Sequence, residues 1–214
     1  MARLTLVIGN KRYSSWSLRP WLALRAAGAA FEEEVVPLYR EGSAEAIRAH
    51  SGAGKVPILL VDGVAVWDSL AICEWVAEAH PEAGLWPDDP LARAVARSAS
   101  AEMHSGFAAL RRHMPMDVVE DRGGRGRDPA ALADIARVVA LWGDLRGRFG
   151  GGGPFLFGRF SIADCMFAPV CTRFETYRPE LPDSAWAYVR TILALPFMAE
   201  WREAAAREPW ELPV

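Results

Sequence analysis

The chain has 214 residues, 51% of them hydrophobic and 24% charged, a balance that places it in the globular range with length for one large or two small cores. Its 24 basic and 27 acidic residues are spread along the chain for a formal net charge of -3, which leaves no electrostatic footprint for nucleic acid or an anionic membrane surface. The opening segment carries only a short apolar run before Lys11 and Arg12, neither a signal-peptide core nor a membrane span, and a cytoplasmic protein is expected.

Leu4 to Ile8 is a short, apolar, partly β-branched run broken by Gly9 and Asn10, and reads as a buried strand followed by a loop. Trp16, Leu18, Trp21, Leu22 and Leu24 then mark an amphipathic helix ending at Gly28, a natural C-terminal cap, with Pro20 fitting only near the first turn. Phe31 to Leu38 is predicted as a second strand, and Ser43 to His50 as a short helix with Ser43 as its cap. Lys55 to Val61 gives a third strand with Pro57 at its entrance, where a ladder donor can be missed. Asp62-Gly63 then turns the chain into Val64 to Trp67 as a hairpin. A helix opens at Asp68-Ser69 and runs apolar through Leu70, Ile72, Cys73, Trp75 and Val76. This order of elements is that of an α/β layer with a mixed sheet.

Pro81, Gly84, Pro87 and Pro90 then crowd together, as in a connection that must not be helical. Beyond it there is no convincing strand signal, and helical periodicity returns at about 91–114, 129–148, 161–175, 184–194 and 196–206. The expected fold is therefore α/β plus all-α, with domains at 1–82 and 90–214. The glycine-rich stretches at 122–127 and 150–153 carry neither a Walker lysine nor a dinucleotide fingerprint and read as loops. Cys73, Cys165 and Cys171 form neither an even set nor a Cys-x-x-Cys pair, and the histidines add no ligand spacing. Neither a disulfide framework nor a metal site is expected.

Three separated motifs carry a family resemblance. Tyr13-Ser14-Ser15-Trp16-Ser17-Leu18-Arg19-Pro20-Trp21 is similar to the serine-serine-cysteine-serine-x-arginine opening of the zeta-class glutathione transferases, with Trp16 where that class has cysteine. Gly54-Lys55-Val56-Pro57, followed eleven residues after Pro57 by Asp68-Ser69, resembles that family's valine–cis-proline and its acidic-serine glutathione site. Ser161-Ile162-Ala163-Asp164 matches the capping box and staple region that begins the central helix of the family's second domain. The resemblance implies a thioredoxin-like N-terminal domain that binds glutathione as co-substrate, followed by an all-helical domain forming the pocket for a small hydrophobic electrophile. It also implies a homodimer.

The residue chemistry agrees with that resemblance. A cis X-Pro bond turns the peptide so that the N–H and C=O of Val56 face outward, able to pair with a bound peptide such as glutathione as one more strand. The helix N-terminus at Asp68-Ser69 favours a carboxylate, which Ser69 would hold, while the Asp68 charge suits the α-ammonium of the same γ-glutamyl group. By resemblance to related classes, Lys55 and Arg40 meet the glycyl carboxylate. Ser14 or Ser15, at the start of the first helix, would donate to the glutathione sulfur and favour the nucleophilic thiolate. Ser14 is the first choice by motif position, and Tyr13 carries similar chemistry. Helix capping is the structural alternative for these serines.

Met103, His104, Phe107 and Arg111 lie at helical spacing where the resemblance puts the second-substrate pocket, although such a stripe also suits a core. Trp16 in place of a small thiol changes reactivity and volume beside the sulfur, and argues against maleylacetoacetate isomerase activity. Thiol addition to an electrophile, peroxide reduction and a non-catalytic ligandin role share this site and stay open at this level.

Overall fold

The computed structural model describes residues 2–211, so residues 1 and 212–214 of the expected domain spans lie outside the described residues. Its first part is a four-stranded sheet of β1 (Leu4–Ile8), β2 (Glu32–Val35), β3 (Ile58–Val61) and β4 (Val64–Trp67), in the order β2-β1-β3-β4. β1 runs parallel to β2 and antiparallel to β3, and β3 and β4 form the hairpin. Its turn residues Asp62 and Gly63 both take positive φ, 49° and 86°, the conformation that makes Asp-Gly a hairpin signal.

Strand alternation sorts β1 between two cores. Leu4, Leu6 and Ile8 join the main cluster, whereas Val7 packs with Val36, Ile47 and Ile58 on the other face. The helices α1 (Ser15–Ala26) and α3 (Ser69–Ala79) cover the first face, and α2 (Ser43–His50) covers the second through Ile47. Three local expectations change. β2 is shorter than Phe31 to Leu38, ending two residues before Pro37, which cannot donate to a ladder, and its Glu32, Glu33 and Glu34 lie exposed at the sheet edge. Gly42, at φ 79°, rather than Ser43 precedes α2, and the Ser43 hydroxyl instead accepts the Arg40 N–H at 3.0 Å. α1 starts at Ser15, which puts Pro20 in its second turn rather than its first.

A single 3-10 turn, Pro81–Ala83, interrupts the connection expected to be free of helix. The second part comprises α4 (Pro90–Ser105), α5 (Ala108–His113), α6 (Pro129–Phe149), α7 (Ile162–Tyr177), α8 (Asp183–Leu193) and α9 (Pro196–Ala206). α7 is its axis: every residue but Glu175 is buried, and it packs against α1, α4 and α8. Trp142 of α6 meets Phe167, Phe174 and Tyr188 edge-on at centroid separations of 5.8, 5.6 and 4.6 Å, the geometry aromatic pairs prefer. At its start the Asp164 carboxylate reaches back to the Ser161 N–H at 2.9 Å, as in a capping box.

The helix expected over 91–114 is broken between α4 and α5. Gly106 stands so close to the preceding turn that an added Cβ would lie 2.8 Å from the Glu102 carbonyl oxygen, and Phe107 adopts φ 59°. The first core cluster runs continuously from Leu6 and Trp21 to Phe167 and Trp201, so the sheet layer and the helices share one interior. No helix among the described residues is long and apolar enough to cross a membrane.

Candidate active site

A cleft of about 1630 Å³ opens where the loop before α1, the loop before β3 and the start of α3 face α4, α5 and α7. That is larger than the roughly 300–1,000 Å³ of a single small-ligand pocket, and leaves room for two ligands side by side.

Its floor is the N-terminus of α1. Ser14 is the N-cap, 6% exposed, with its Oγ accepting the Ser17 N–H at 3.3 Å and lying 2.7 Å from the Ser17 Oγ. Ser17 Oγ in turn accepts the Gly9 N–H at 3.1 Å. With Ser17 donating to Ser14, the Ser14 proton is left for a group in the cleft. Capping and ligand contact are thus compatible in one hydroxyl. Ser15 is the first helical residue and lines the same cleft, as do Tyr13 and Trp16.

The loop that carries Ser14 is held from both parts of the fold. Ser14 N–H donates to the Asn10 carbonyl at 2.8 Å, and Asn10 Oδ1 accepts the Leu38 N–H at 2.8 Å. The Glu208 carboxylate, just beyond α9, accepts the N–H groups of Lys11 and Arg12 at 2.6 and 3.1 Å, and Trp201 Nε1, within α9, donates to the Lys11 carbonyl at 2.8 Å. The Lys11 ammonium pairs with Glu33 and lies 5.2 and 5.3 Å from the rings of Trp21 and Trp201. The Arg12 guanidinium makes a forked pair with Asp117 at 2.9 and 3.1 Å.

At the N-terminus of α3, Asp68 takes φ 79° and caps the helix, its Oδ1 accepting the N–H groups of Leu70 and Ala71 at 2.8 and 3.4 Å. Ser69 follows, 1% exposed, its Oγ without a hydrogen-bond partner among the described residues. A buried hydroxyl left in this way costs on the order of 1–3 kcal/mol unless something pairs with it, and this one lines the cleft. The Val56–Pro57 bond is cis. Val56, Pro57, Lys55 and Arg40 all line the cleft, with Lys55 and Arg40 exposed at its rim.

The four residues expected on one helical stripe part company at the Gly106-Phe107 break. Met103 and Phe107 are buried in the main core, and His104 and Arg111 line the cleft. His104 Nε2 lies 3.2 Å from Asp68 Oδ2, and its ring meets Trp16 edge-on at 5.1 Å. Burial lowers the His104 pKa, Asp68 opposes that, and Arg19 and Arg111 add to it, which leaves the imidazole neutral at pH 7. Arg111 donates to the carbonyls of Gly106, at 3.0 Å, and Met103, and its guanidinium carbon stands 4.8 Å from the Trp16 ring.

Sequence reasoning missed Arg12, Met116 and Arg173 at this cleft. Arg173 is buried in α7 and donates to the carbonyls of Met114 and Pro169 at 2.8 and 3.0 Å. Cys73, Cys165 and Cys171 are all buried, and burial pushes each thiol pKa up. None of them lines the cleft, so no protein thiolate is available there.

The family model for the glutathione S-transferase N-terminal domain matches residues 13–79, and that for the C-terminal domain matches residues 74–205. The chain belongs to the glutathione transferase family. Among curated relatives it is 30% identical to the maleylacetoacetate isomerase of Rattus norvegicus over 174 residues, covering 78% of this chain and 76% of that one. It is 28% identical to the probable maleylacetoacetate isomerase of Caenorhabditis elegans over 158 residues, covering 72% and 73%. A glutathione transferase homolog from Burkholderia gl BGR1, solved with bound glutathione, superposes with a TM-score of 0.73 at 24% identity, over 96% of this chain and 100% of that one. In this chain the sheet layer precedes the helical part, and the cleft described above lies between them.

Proposed function

We propose that this family member is a serine-type glutathione transferase in which the hydroxyl of Ser14 stabilises the thiolate of glutathione for attack on a small hydrophobic electrophile. Glutathione is the co-substrate. The observation that carries the reading is the convergence on one cleft of the Ser14 cap at the positive end of α1, the cis Val56–Pro57 bond and the unpartnered buried Ser69 hydroxyl. Ser69 would take the γ-glutamyl carboxylate and Asp68 its ammonium. The backbone of Val56 would pair with the cysteinyl residue, and Lys55 and Arg40 would meet the glycyl carboxylate. Residues 1–82 then form the glutathione-binding domain and 90–214 the domain that shapes the second pocket, to which His104 and Arg111 contribute. Ser15 has the weaker claim to the sulfur.

Two further properties belong to the same reading. The exposed apolar side chains Val64 of β4 and Leu91 at the start of α4, exposed by 69% and 67%, are apolar surface that a second copy of the chain would cover, and support a homodimer. A cytoplasmic location is part of the same proposal.

A second reading of the chemistry, glutathione-dependent isomerisation, is favoured by the names of the relatives from Rattus norvegicus and Caenorhabditis elegans. Trp16 stands against it, since a large indole occupies the first turn of α1 beside Ser14 and Ser15. Turnover of maleylacetoacetate and of a panel of apolar electrophiles and peroxides, by wild type, Ser14→Ala and Ser15→Ala, tests the mechanism. Ser14→Ala should lower kcat/KM by about tenfold or more and Ser15→Ala by much less. Equal turnover in all three proteins would remove Ser14 from the chemistry.

A further inference from the structure

Behind the floor of the cleft lies a buried arginine whose charge is met by an aromatic ring but by no hydrogen bond among the described residues. Arg19 is 0% exposed, and none of its three guanidinium nitrogens has a hydrogen-bond partner among the described residues. It follows Ser15 by one helical turn on α1, and helical side chains lean back toward the N-terminus. Its guanidinium carbon lies 4.3 Å from the ring of Trp16, a residue that itself lines the cleft. The charge is thus buried near the positive end of a helix dipole, where a cation is disfavoured.

Its neighbours do not relieve it. Arg111 and Arg173 face it with like charge. On the negative side stand Asp68 and Cys73. The Asp68 carboxylate is engaged in capping α3 and lies 3.2 Å from His104, while burial keeps the Cys73 thiol protonated. His104, neutral at pH 7, does not offset the charge. Burial, then Arg111 and Arg173, lower the Arg19 pKa well below its ordinary value, but a guanidinium is the most basic side chain and keeps its proton at neutral pH. A well-packed apolar residue in place of a buried charge is often as stable or more so, so the charge is a burden on the fold unless an anion comes to it.

We infer that Arg19 is a fixed positive charge that holds the bound glutathione sulfur as a thiolate, acting through Trp16 and together with the Ser14 hydroxyl. The proton leaves the thiol for solvent, and the sulfur keeps the electron pair it then uses for attack. In a low-dielectric interior a full charge acts over longer distances than a neutral hydrogen bond. Ser14 supplies direction and Arg19 supplies field. This assignment rests on the reading of the α1 N-terminus as the thiol site.

The test is the ultraviolet absorbance of the thiolate, titrated against pH in the glutathione complexes of wild type, Arg19→Met and Arg19→Lys, with thermal unfolding of each protein alone. Arg19→Met should raise the bound thiol pKa by about one unit or more, a tenfold loss of thiolate in the acid limb, while its unfolding midpoint stays level or rises. Arg19→Lys puts in the same buried position an ammonium, which gives up its proton far more readily than a guanidinium, and should raise the thiol pKa in the same direction. A lowered thiol pKa that persists in Arg19→Met overturns the assignment and leaves the Ser14 reading intact. Failure of Arg19→Met to fold also overturns it, because the charge would then serve the fold. Glutathione bound by wild type with an unshifted thiol would instead sink the thiol-site reading, and this inference with it.

Discussion

Asp164 is a carboxylate at 0% exposure that accepts four hydrogen bonds, from the N–H groups of Leu156 and Ser161 and the hydroxyls of Ser161 and Tyr188. Burial pushes its pKa up to about 6, against the pull of those donors. A folded pKa above the unfolded value means a contribution that is fully present below the unfolded value near 3.8 and is lost as pH rises through about 6. The stability gap between wild type and Asp164→Ala in urea should therefore narrow from pH 4 to pH 7, by up to about 3 kcal/mol. A gap that widens with pH would mean that the four donors outweigh the burial. Asp164 was legible in the sequence because a capping box is a local pattern. Arg173 and Arg19 were not, since a buried arginine and an exposed one have the same letter and the same helical spacing. Only the packing of α7 against α1 separates them.

At the scale of elements, the signals that proved readable were those set by backbone chemistry within a few residues. The Asp62-Gly63 hairpin, the cap at Asp68 and the alternation of β1 are of that kind. The break between α4 and α5 is of another kind. A lone glycine in a helical run is tolerated, and what fixes this break is tertiary: Arg111 reaches back to the last carbonyls of α4, and Asp134 of α6 accepts the Leu110 N–H at 2.9 Å. The consequence for the cleft is direct. A continuous helix would have kept Met103, His104, Phe107 and Arg111 on one stripe, whereas the break sends the first and third to the core and the other two to the cleft. Pro20, tolerated in the second turn of α1, and Ser43, which braces a loop rather than capping α2, were misread for the same reason: their surroundings were out of reach of local pattern.

For the molecule as a whole, order of elements and hydrophobic periodicity were enough to anticipate an α/β layer followed by helices, and the shared core explains why neither part stands apart from the other. The clamp on the Ser14 loop by Glu208 and Trp201, almost 200 residues later in the chain, was beyond any such pattern. If Val64 and Leu91 are covered by a second copy, wild type should sediment with the mass of two chains and the double variant Val64→Asp, Leu91→Asp with that of one. Unchanged sedimentation of the variant would place the contact elsewhere. The central claim, that this cleft binds glutathione and ionises it, is most directly tested by calorimetric titration of glutathione into wild type and Ser69→Ala, in two buffers of different ionisation heat. The account predicts proton release on binding to wild type and an affinity lowered by roughly tenfold in Ser69→Ala, the loss of one charge-assisted hydrogen bond. Binding without proton release, or equal affinity in the two proteins, would contradict it.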